Sequence, residues 1–219
     1  MRVALADDSA LFRRGLAKLL SDVGVEVTAE ASDGEEFMKR VCADPPDVAV
    51  LDIRMPPTFT DEGLVIAEQL REQHPEVGVL LLSTYAETPY AARLLAGGSA
   101  GVGYLLKDKV DDTGTLRDAL VRIAAGGCVV EPDLVARLFS RQRVSNRLDR
   151  LTERERVVLQ LMAEGRSNLG IAQQLYLSQK TVEAHAAAIF TKLDLQIAAD
   201  DNRRVRAVLT WLRADRDEP

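Results

Sequence analysis

Over residues 1–125 short apolar runs alternate with amphipathic stretches, and this alternation constrains the fold more than any other feature of the chain. "RVALA" (2–6), "VEVTAE" (25–30), "DVAVLD" (47–52), "VGVLLLS" (77–83) and "AGVGYLL" (100–106) read as five strands. "ALFRRGLAKLLSDV", "DGEEFMKRVCA", "DEGLVIAEQLREQ" and "TPYAARLLAGG" lie between them and carry apolar residues at helical spacing. "DDTGTLRDALVRIAAGG" adds a fifth helix, with Gly126 and Gly127 as its stop. Strict alternation of strand and helix implies parallel strands with helices on both faces. The apolar stretches 48–51 and 79–82 are expected to be central strands. The predicted class is α/β, a doubly wound five-stranded parallel sheet, with a second, smaller all-α domain behind it.

That layout gives a purpose to "VAVLDIRMPP" (48–57), where a buried strand delivers one carboxylate to a loop. Ligands on doubly wound sheets bind beyond the C-terminal ends of the strands. Asp52 ends the third strand, Asp7 and Asp8 end the first, Ser83 ends the fourth and Lys107 follows the fifth. Three carboxylates in one crevice repel one another and call for a cation. Hard oxygen ligands on a partly open site suit Mg²⁺. Asp52 is then placed to attack phosphorus in line, with Lys107 taking up charge on the phosphoryl oxygens and Ser83 donating a hydrogen bond. Taken singly each residue has a plainer reading: Asp7 and Asp8 as a turn with Ser9 capping the next helix, Lys107 as a solvated lysine, Asp52 as a loop cap. Their joint placement at the right strand ends favours the shared site.

Residues 126–149 read as a linker, with a short helix in "EPDLVARLFS" and a basic flexible tether in "RQRVSNRLDR". From Leu151 the chain turns all-helical. Thr152 and Glu155 have capping-box spacing, Gly165 ends that helix, and Ser178 is a candidate cap for the helix that follows the "NLGIAQQLYL" segment. "GIAQQLYLSQKTVEAH" reads as helix, tight turn, helix, with Ile171, Leu175, Val182, Ala186, Ile189 and Leu193 forming the core. The opposite face carries Gln179, Lys180, Thr181, Glu183, Ala184, Ala187 and Lys192. Its small residues admit a helix to the major groove, and its basic and hydroxyl groups suit phosphates. A last helix, "DNRRVRAVLTWLR", offers Val205, Val208, Leu209 and Leu212 either to the module's own core or to a dimer contact.

Charge follows the same division. Residues 1–125 hold 13 Lys+Arg against 21 Asp+Glu, a balance of −8, and residues 126–219 hold 15 against 13, a balance of +2. An acidic front and a mildly basic back fit two modules with different partners. Early Asp7 and Asp8 argue against a signal peptide, and no apolar stretch reaches the length of a membrane span. Cys42 and Cys128 lack metal-like spacing and are expected to be buried thiols in a reducing cytoplasm.

"ADDS", "LDIRMP", "LLSTYAE" and "GYLLKD" together resemble the four signature positions of a response-regulator receiver domain, which has a flavodoxin-like fold. "LTERERVVLQLMAEGRSNLGIAQQLYLSQKTVEAHAAAIFTKLDL" resembles the LuxR-type helix-turn-helix, so the whole chain resembles a NarL/FixJ-type response regulator. The resemblance implies a receiver at 1–125, a linker at 126–149 and a DNA-binding domain at 150–214. It implies that Asp52 is the phospho-acceptor and that a histidine kinase is the donor. Mg²⁺ would be held by Asp7, Asp8, Asp52 and the backbone carbonyl of Arg54; Ser83 and Lys107 would bind phosphoryl oxygens; Ser83 and Tyr104 would form the switch. Lys180, Thr181 and Lys192 would favour phosphates of double-stranded DNA, with Glu183, Ala184 and Ala187 towards base edges. A cytoplasmic transcription regulator that dimerises when phosphorylated and has no membrane partner follows. It is not an enzyme beyond the self-phosphorylation and dephosphorylation of Asp52.

The chain departs from the family in three places. "MPPTFTDEGL" is longer than the usual loop before Gly63, Gly170 stands where an acidic residue is frequent, and Ala186 and Ala188 are smaller than usual on the recognition helix. Two other readings are weighed: a phosphorylation-independent DNA-binding regulator controlled by a ligand or partner, and a small Mg²⁺-dependent phosphotransfer enzyme. The complete Asp7, Asp8, Asp52, Ser83 and Lys107 set opposes the first, and the lack of a separate substrate pocket signal opposes the second.

Overall fold

The structure, a computed structural model, describes residues 1–110, 112–196 and 202–215, without the side chains of 140–145 and 213–215. Asp111 and Asp201, with which two of the expected helices open, lie outside the described residues. The chain divides into two compact units, Met1–Ala136 and Arg137–Pro219.

The first unit runs β1 (Arg2–Ala6), α1 (Ala10–Asp22), β2 (Glu26–Ala31), α2 (Gly34–Ala43), β3 (Val48–Asp52), α3 (Glu62–Gln73), β4 (Gly78–Ser83), α4 (Thr88–Ala96), β5 (Val102–Leu106), α5 (Thr113–Ala124) and β6 (Cys128–Val130). The strands form one parallel sheet in the order β2-β1-β3-β4-β5-β6. The sheet therefore has six strands where the sequence suggested five. The added strand is only "CVV", too short to show a period, and it pairs with Val102, Gly103 and Tyr104 at the edge.

Every residue of β3 and β4 is buried, as central strands covered on both faces require. Each fully buried Leu or Val there contributes about 1.5–3 kcal/mol. Strand order reverses between β1 and β3, so the loops after these two strands diverge and leave a crevice at their C-terminal ends. Ser9 caps α1 by accepting from the Phe12 N–H at 3.4 Å, and this turns the chain sharply after Asp7 and Asp8. Gly63 packs so closely under β3 that an added Cβ would lie 1.8 Å from the Asp52 carbonyl oxygen. Cys42 is exposed on α2, contrary to the expected buried thiol, and Cys128 is half-buried; both are free.

The linker also differs from expectation. A single helix, α6 (Pro132–Leu148), includes most of the segment expected to be a tether. Arg, Gln and Leu are good helix formers and no Gly or Pro interrupts residues 133–148, so polarity alone did not signal a loop.

The second unit continues with α7 (Glu153–Ala163), α8 (Asn168–Leu175), α9 (Gln179–Lys192) and α10 (Arg203–Asp215). Thr152 and Glu155 form a reciprocal capping box on α7. Ser167 and Ser178 accept from Gly170 N–H and Thr181 N–H, and so start α8 and α9. The turn between those two helices is closed by Tyr176 in the left-handed region, at φ 55°. Ile171, Val182, Ala186, Ile189 and Leu193 are buried in the shared core, and Leu175, Val208 and Trp211 pack against it. Val205, Leu209 and Leu212 stay exposed along α10. Among the described residues no helix is long and apolar enough to cross a membrane.

Candidate functional site

The strand ends converge as their topology demands. One carboxylate oxygen from each of Asp7, Asp8 and Asp52 lies within 4.8 Å of the others. Asp7 and Asp52 are buried and Asp8 is exposed, so the cluster opens to solvent on one side. Lys107, in a short 3-10 turn after β5, reaches across with Nζ 2.7 Å from Asp7 Oδ2 and 3.0 Å from Asp52 Oδ2. Asp7 Oδ1 accepts the Ser9 N–H at 2.8 Å. Burial pushes the Asp52 carboxyl above its ordinary range; Lys107 opposes this, and the neighbouring carboxylates of Asp7 and Asp8 add to it. Burial disfavours the Lys107 ammonium, but its bonds to Asp7 and Asp52 outweigh that and keep it firmly charged. Three carboxylates offset by one ammonium leave net negative charge on hard oxygen donors, a set that fits a small divalent cation.

Ser83 ends β4 buried, and its Oγ accepts the Tyr85 N–H at 3.2 Å. Tyr104 is fully buried in β5 beneath the β4–α4 loop. Its hydroxyl donates to the Tyr85 carbonyl at 3.1 Å and accepts from the Glu87 N–H at 3.3 Å. The same loop is tied to the segment after β3, because Arg54, two residues after Asp52, pairs with Glu87 at 2.7 Å. The long β3–α3 loop is ordered by Glu62, whose carboxylate accepts from the N–H groups of Thr58 at 2.9 Å and Thr60 at 3.0 Å. It is joined to α4 by Tyr90 Oη, which donates to the Thr60 carbonyl at 3.2 Å, and by Arg93, which pairs with Asp61.

Two partners in this pocket were not legible as such in the sequence. The Phe12 ring centroid lies 4.7 Å from Lys107 Nζ, and Glu87 holds Arg54. Phe12 falls on the apolar face of its helix, which marks a core residue and says nothing of an ammonium over its ring.

On α9, Gln179, Lys180, Thr181, Glu183, Ala184 and Ala187 are all exposed on one face. Gln179 donates to Glu183 at 3.3 Å, and the hydroxyls of Thr181 and Ser178 lie 2.7 Å apart. Lys192 is different. Its ammonium sits 2.7 Å from Glu155 Oε2, a carboxylate only 5% exposed. Burial pushes the Glu155 carboxyl up, but hydrogen bonds from Lys192 and Thr152 outweigh this and hold it below the ordinary range. The pair joins α9 to the capping box of α7, while the Lys192 side chain stays 33% exposed.

The profile of the response regulator receiver domain matches residues 3–121, and that of the bacterial regulatory proteins of the luxR family matches residues 149–199. The chain is 34% identical over 206 residues to the oxygen regulatory protein NreC of Staphylococcus haemolyticus (strain JCSC1435), covering 90% of this chain and 92% of that one. NreC of Staphylococcus aureus (strain USA300) gives the same identity and coverage. Among solved structures, the response regulator ChrA of a heme-sensing two-component system is 33% identical, with a TM-score of 0.50 over 99% of this chain and 98% of that one. RcsB of Salmonella typhimurium, 24% identical with a TM-score of 0.59 over 97% and 98%, shares the fold.

Proposed function

The chain belongs to the response regulators that join a receiver domain to a LuxR-type DNA-binding domain, and from that membership we propose that phosphorylation of Asp52 by a histidine kinase controls transcription through sequence-specific binding of double-stranded DNA. The observation that carries the reading is the Asp52 carboxylate, at a strand end, 3.0 Å from the Lys107 ammonium and clustered with Asp7 and Asp8.

Asp7, Asp8, Asp52 and the backbone carbonyl of Arg54 would hold Mg²⁺. When bound, that ion neutralises charge that otherwise keeps a phosphoryl group away from a carboxylate. Asp52 attacks phosphorus, and a carboxylate oxygen–phosphorus bond forms. The phosphorus–nitrogen bond to the kinase histidine breaks, and its electron pair stays on the imidazole. Lys107 and Ser83 then bind phosphoryl oxygens. Ser83 Oγ holds the Tyr85 N–H, and Tyr104 holds the loop at Tyr85 and Glu87, so a change at Ser83 reaches the β4–α4 loop directly. In dephosphorylation, water attacks the same phosphorus and returns the carboxylate and inorganic phosphate. No external substrate is turned over.

For the output, Lys180 and Thr181 contact phosphates, and Glu183, Ala184 and Ala187 face base edges. One module grips few base pairs, so a phosphorylated homodimer on two half-sites is expected in the cytoplasm. Val205, Leu209 and Leu212, exposed along α10, are the candidate contact. The test is solution molar mass by light scattering, with Mg²⁺ alone and with beryllofluoride added as a phosphoryl mimic, beside Asp52→Asn. A dimer formed only with beryllofluoride and an intact Asp52 supports the reading. An unchanged mass removes phosphorylation-driven dimerisation.

A further inference from the structure

Lys107 is held by a closed circuit of contacts. Its Nζ donates to Asp7 Oδ2 at 2.7 Å; Asp7 Oδ1 accepts the Ser9 N–H at 2.8 Å; Ser9 Oγ accepts the Phe12 N–H at 3.4 Å; and the Phe12 ring returns to Lys107 Nζ at 4.7 Å from its centroid. The first turn of α1 that carries Phe12 is further fixed by Arg13, whose N–H donates to the Ser9 carbonyl at 2.9 Å and whose guanidinium donates to the Asp7 carbonyl. Phe12 also packs against the buried core of the sheet, so the ring is anchored from behind. The ammonium it faces is largely withdrawn from water, with 18% of the Lys107 side chain exposed.

The two kinds of contact differ in what they permit. A carboxylate holds an ammonium through directed hydrogen bonds, and both of those carboxylates have other work once a cation and a phosphoryl group arrive. A ring face attracts a cation through its quadrupole, with no single donor direction. The ammonium can therefore turn over the ring, and the ring's attraction counts for more as the neutralising hydrogen bonds to Asp7 and Asp52 are given up.

We propose that Phe12 is a positioning residue for phosphoryl transfer: its ring carries the Lys107 ammonium as that group passes from the Asp7 and Asp52 carboxylates to the incoming phosphoryl oxygen. The proposal rests on the reading of Asp52 as phospho-acceptor. With acetyl phosphate as donor, the Asp52 oxygen–phosphorus bond forms and the acetyl oxygen–phosphorus bond breaks. Acetate leaves with the electron pair, and no proton moves. Phe12 takes no part in that bonding; it sets where the ammonium stands while charge builds on the phosphoryl oxygens.

Progressive fluorination of the ring at position 12 empties its negative face with little change in size. The full chain carrying mono-, tri- and pentafluorophenylalanine there is incubated with Mg²⁺ and acetyl phosphate, and the phosphorylated fraction is followed by intact mass. Phe12→Leu and Phe12→Tyr run alongside, and urea unfolding of each variant reports stability. The expected result is a rate that falls stepwise with fluorination by more than the accompanying loss of stability, falls about tenfold in Phe12→Leu and returns in Phe12→Tyr. Equal rates across the fluorinated series, with the unmodified chain phosphorylated on Asp52, overturn the role of Phe12 alone. An unmodified chain that gains no phosphoryl group, or gains one equally as Asp52→Asn, overturns the acceptor assignment and this inference with it.

Discussion

Replacing Lys192 with methionine should destabilise the C-terminal module and leave the salt dependence of its DNA binding unchanged. Removing one partner of a fully buried ion pair costs about 3–5 kcal/mol, whereas an exposed pair is worth about 0–1 kcal/mol. This pair lies between those limits. Glu155 is 5% exposed, the Lys192 side chain is 33% exposed, and Glu155 Oε2 keeps the Thr152 N–H at 2.7 Å after the change. Methionine preserves most of the stem and its packing, so the expected loss is about 2 kcal/mol. Trp211 is the chain's one tryptophan and packs against the C-terminal core, so its fluorescence in urea reports this module within the full chain. The urea midpoint should fall by about 1 M. A double-mutant cycle with Glu155→Gln isolates the pairwise part. Acid titration gives a second readout. A carboxylate held below its unfolded pKa contributes stability that is full above the unfolded value and lost as the pH falls through the folded one. Lys192→Met should therefore flatten the acid limb of the stability curve. Finally, each phosphate contact removed lowers the salt slope of binding by about one. An unchanged urea midpoint with a slope reduced by about one per protomer would refute the reasoning and return Lys192 to the DNA face.

Gly170→Glu should raise the Trp211 urea midpoint. Helical glycine costs about 1 kcal/mol relative to alanine, a Cβ there meets nothing nearer than Ser167 Oγ at 3.6 Å, and the carboxylate supplies an acceptor for the Ser167 N–H; an unchanged or lower midpoint contradicts this. Gly63→Ala should abolish phosphorylation by acetyl phosphate with every carboxylate in place, since its Cβ would lie 1.8 Å from the Asp52 carbonyl oxygen. Gly15→Ala, with open space around it, should stabilise by about 1 kcal/mol, and equal effects of the two substitutions count against the close-approach argument. Tyr104→Phe removes the hydroxyl that binds Tyr85 and Glu87, so amide exchange in the β4–α4 loop should quicken by about fivefold, matching about 1 kcal/mol; unchanged exchange shows that the loop is held by other contacts.

Asp7, Asp8, Asp52, Ser83 and Lys107 were legible because a parallel sheet sends every strand end to one edge, so chain order alone predicts their meeting. The central strands were legible for a related reason: burial on both faces leaves an apolar run that polar helices cannot mimic. β6 was not, because three residues carry no period, and its position depends on the open edge of β5. The reach of α6 is not legible because a basic, polar run looks the same in a tether and in a solvated helix, although Arg and Gln favour helix. Phe12, Glu87 and Glu155 share a different cause. Each is the second member of a pair whose first member was recognised, namely Lys107, Arg54 and Lys192. Glu155 and Lys192 stand 37 residues apart on different helices. Helical period assigns a side chain to a face, but only packing decides what the facing element offers it. Lys192 shows the consequence, since a lysine near the margin between the buried and exposed faces of α9 can serve either side, and the buried carboxylate on α7 takes it.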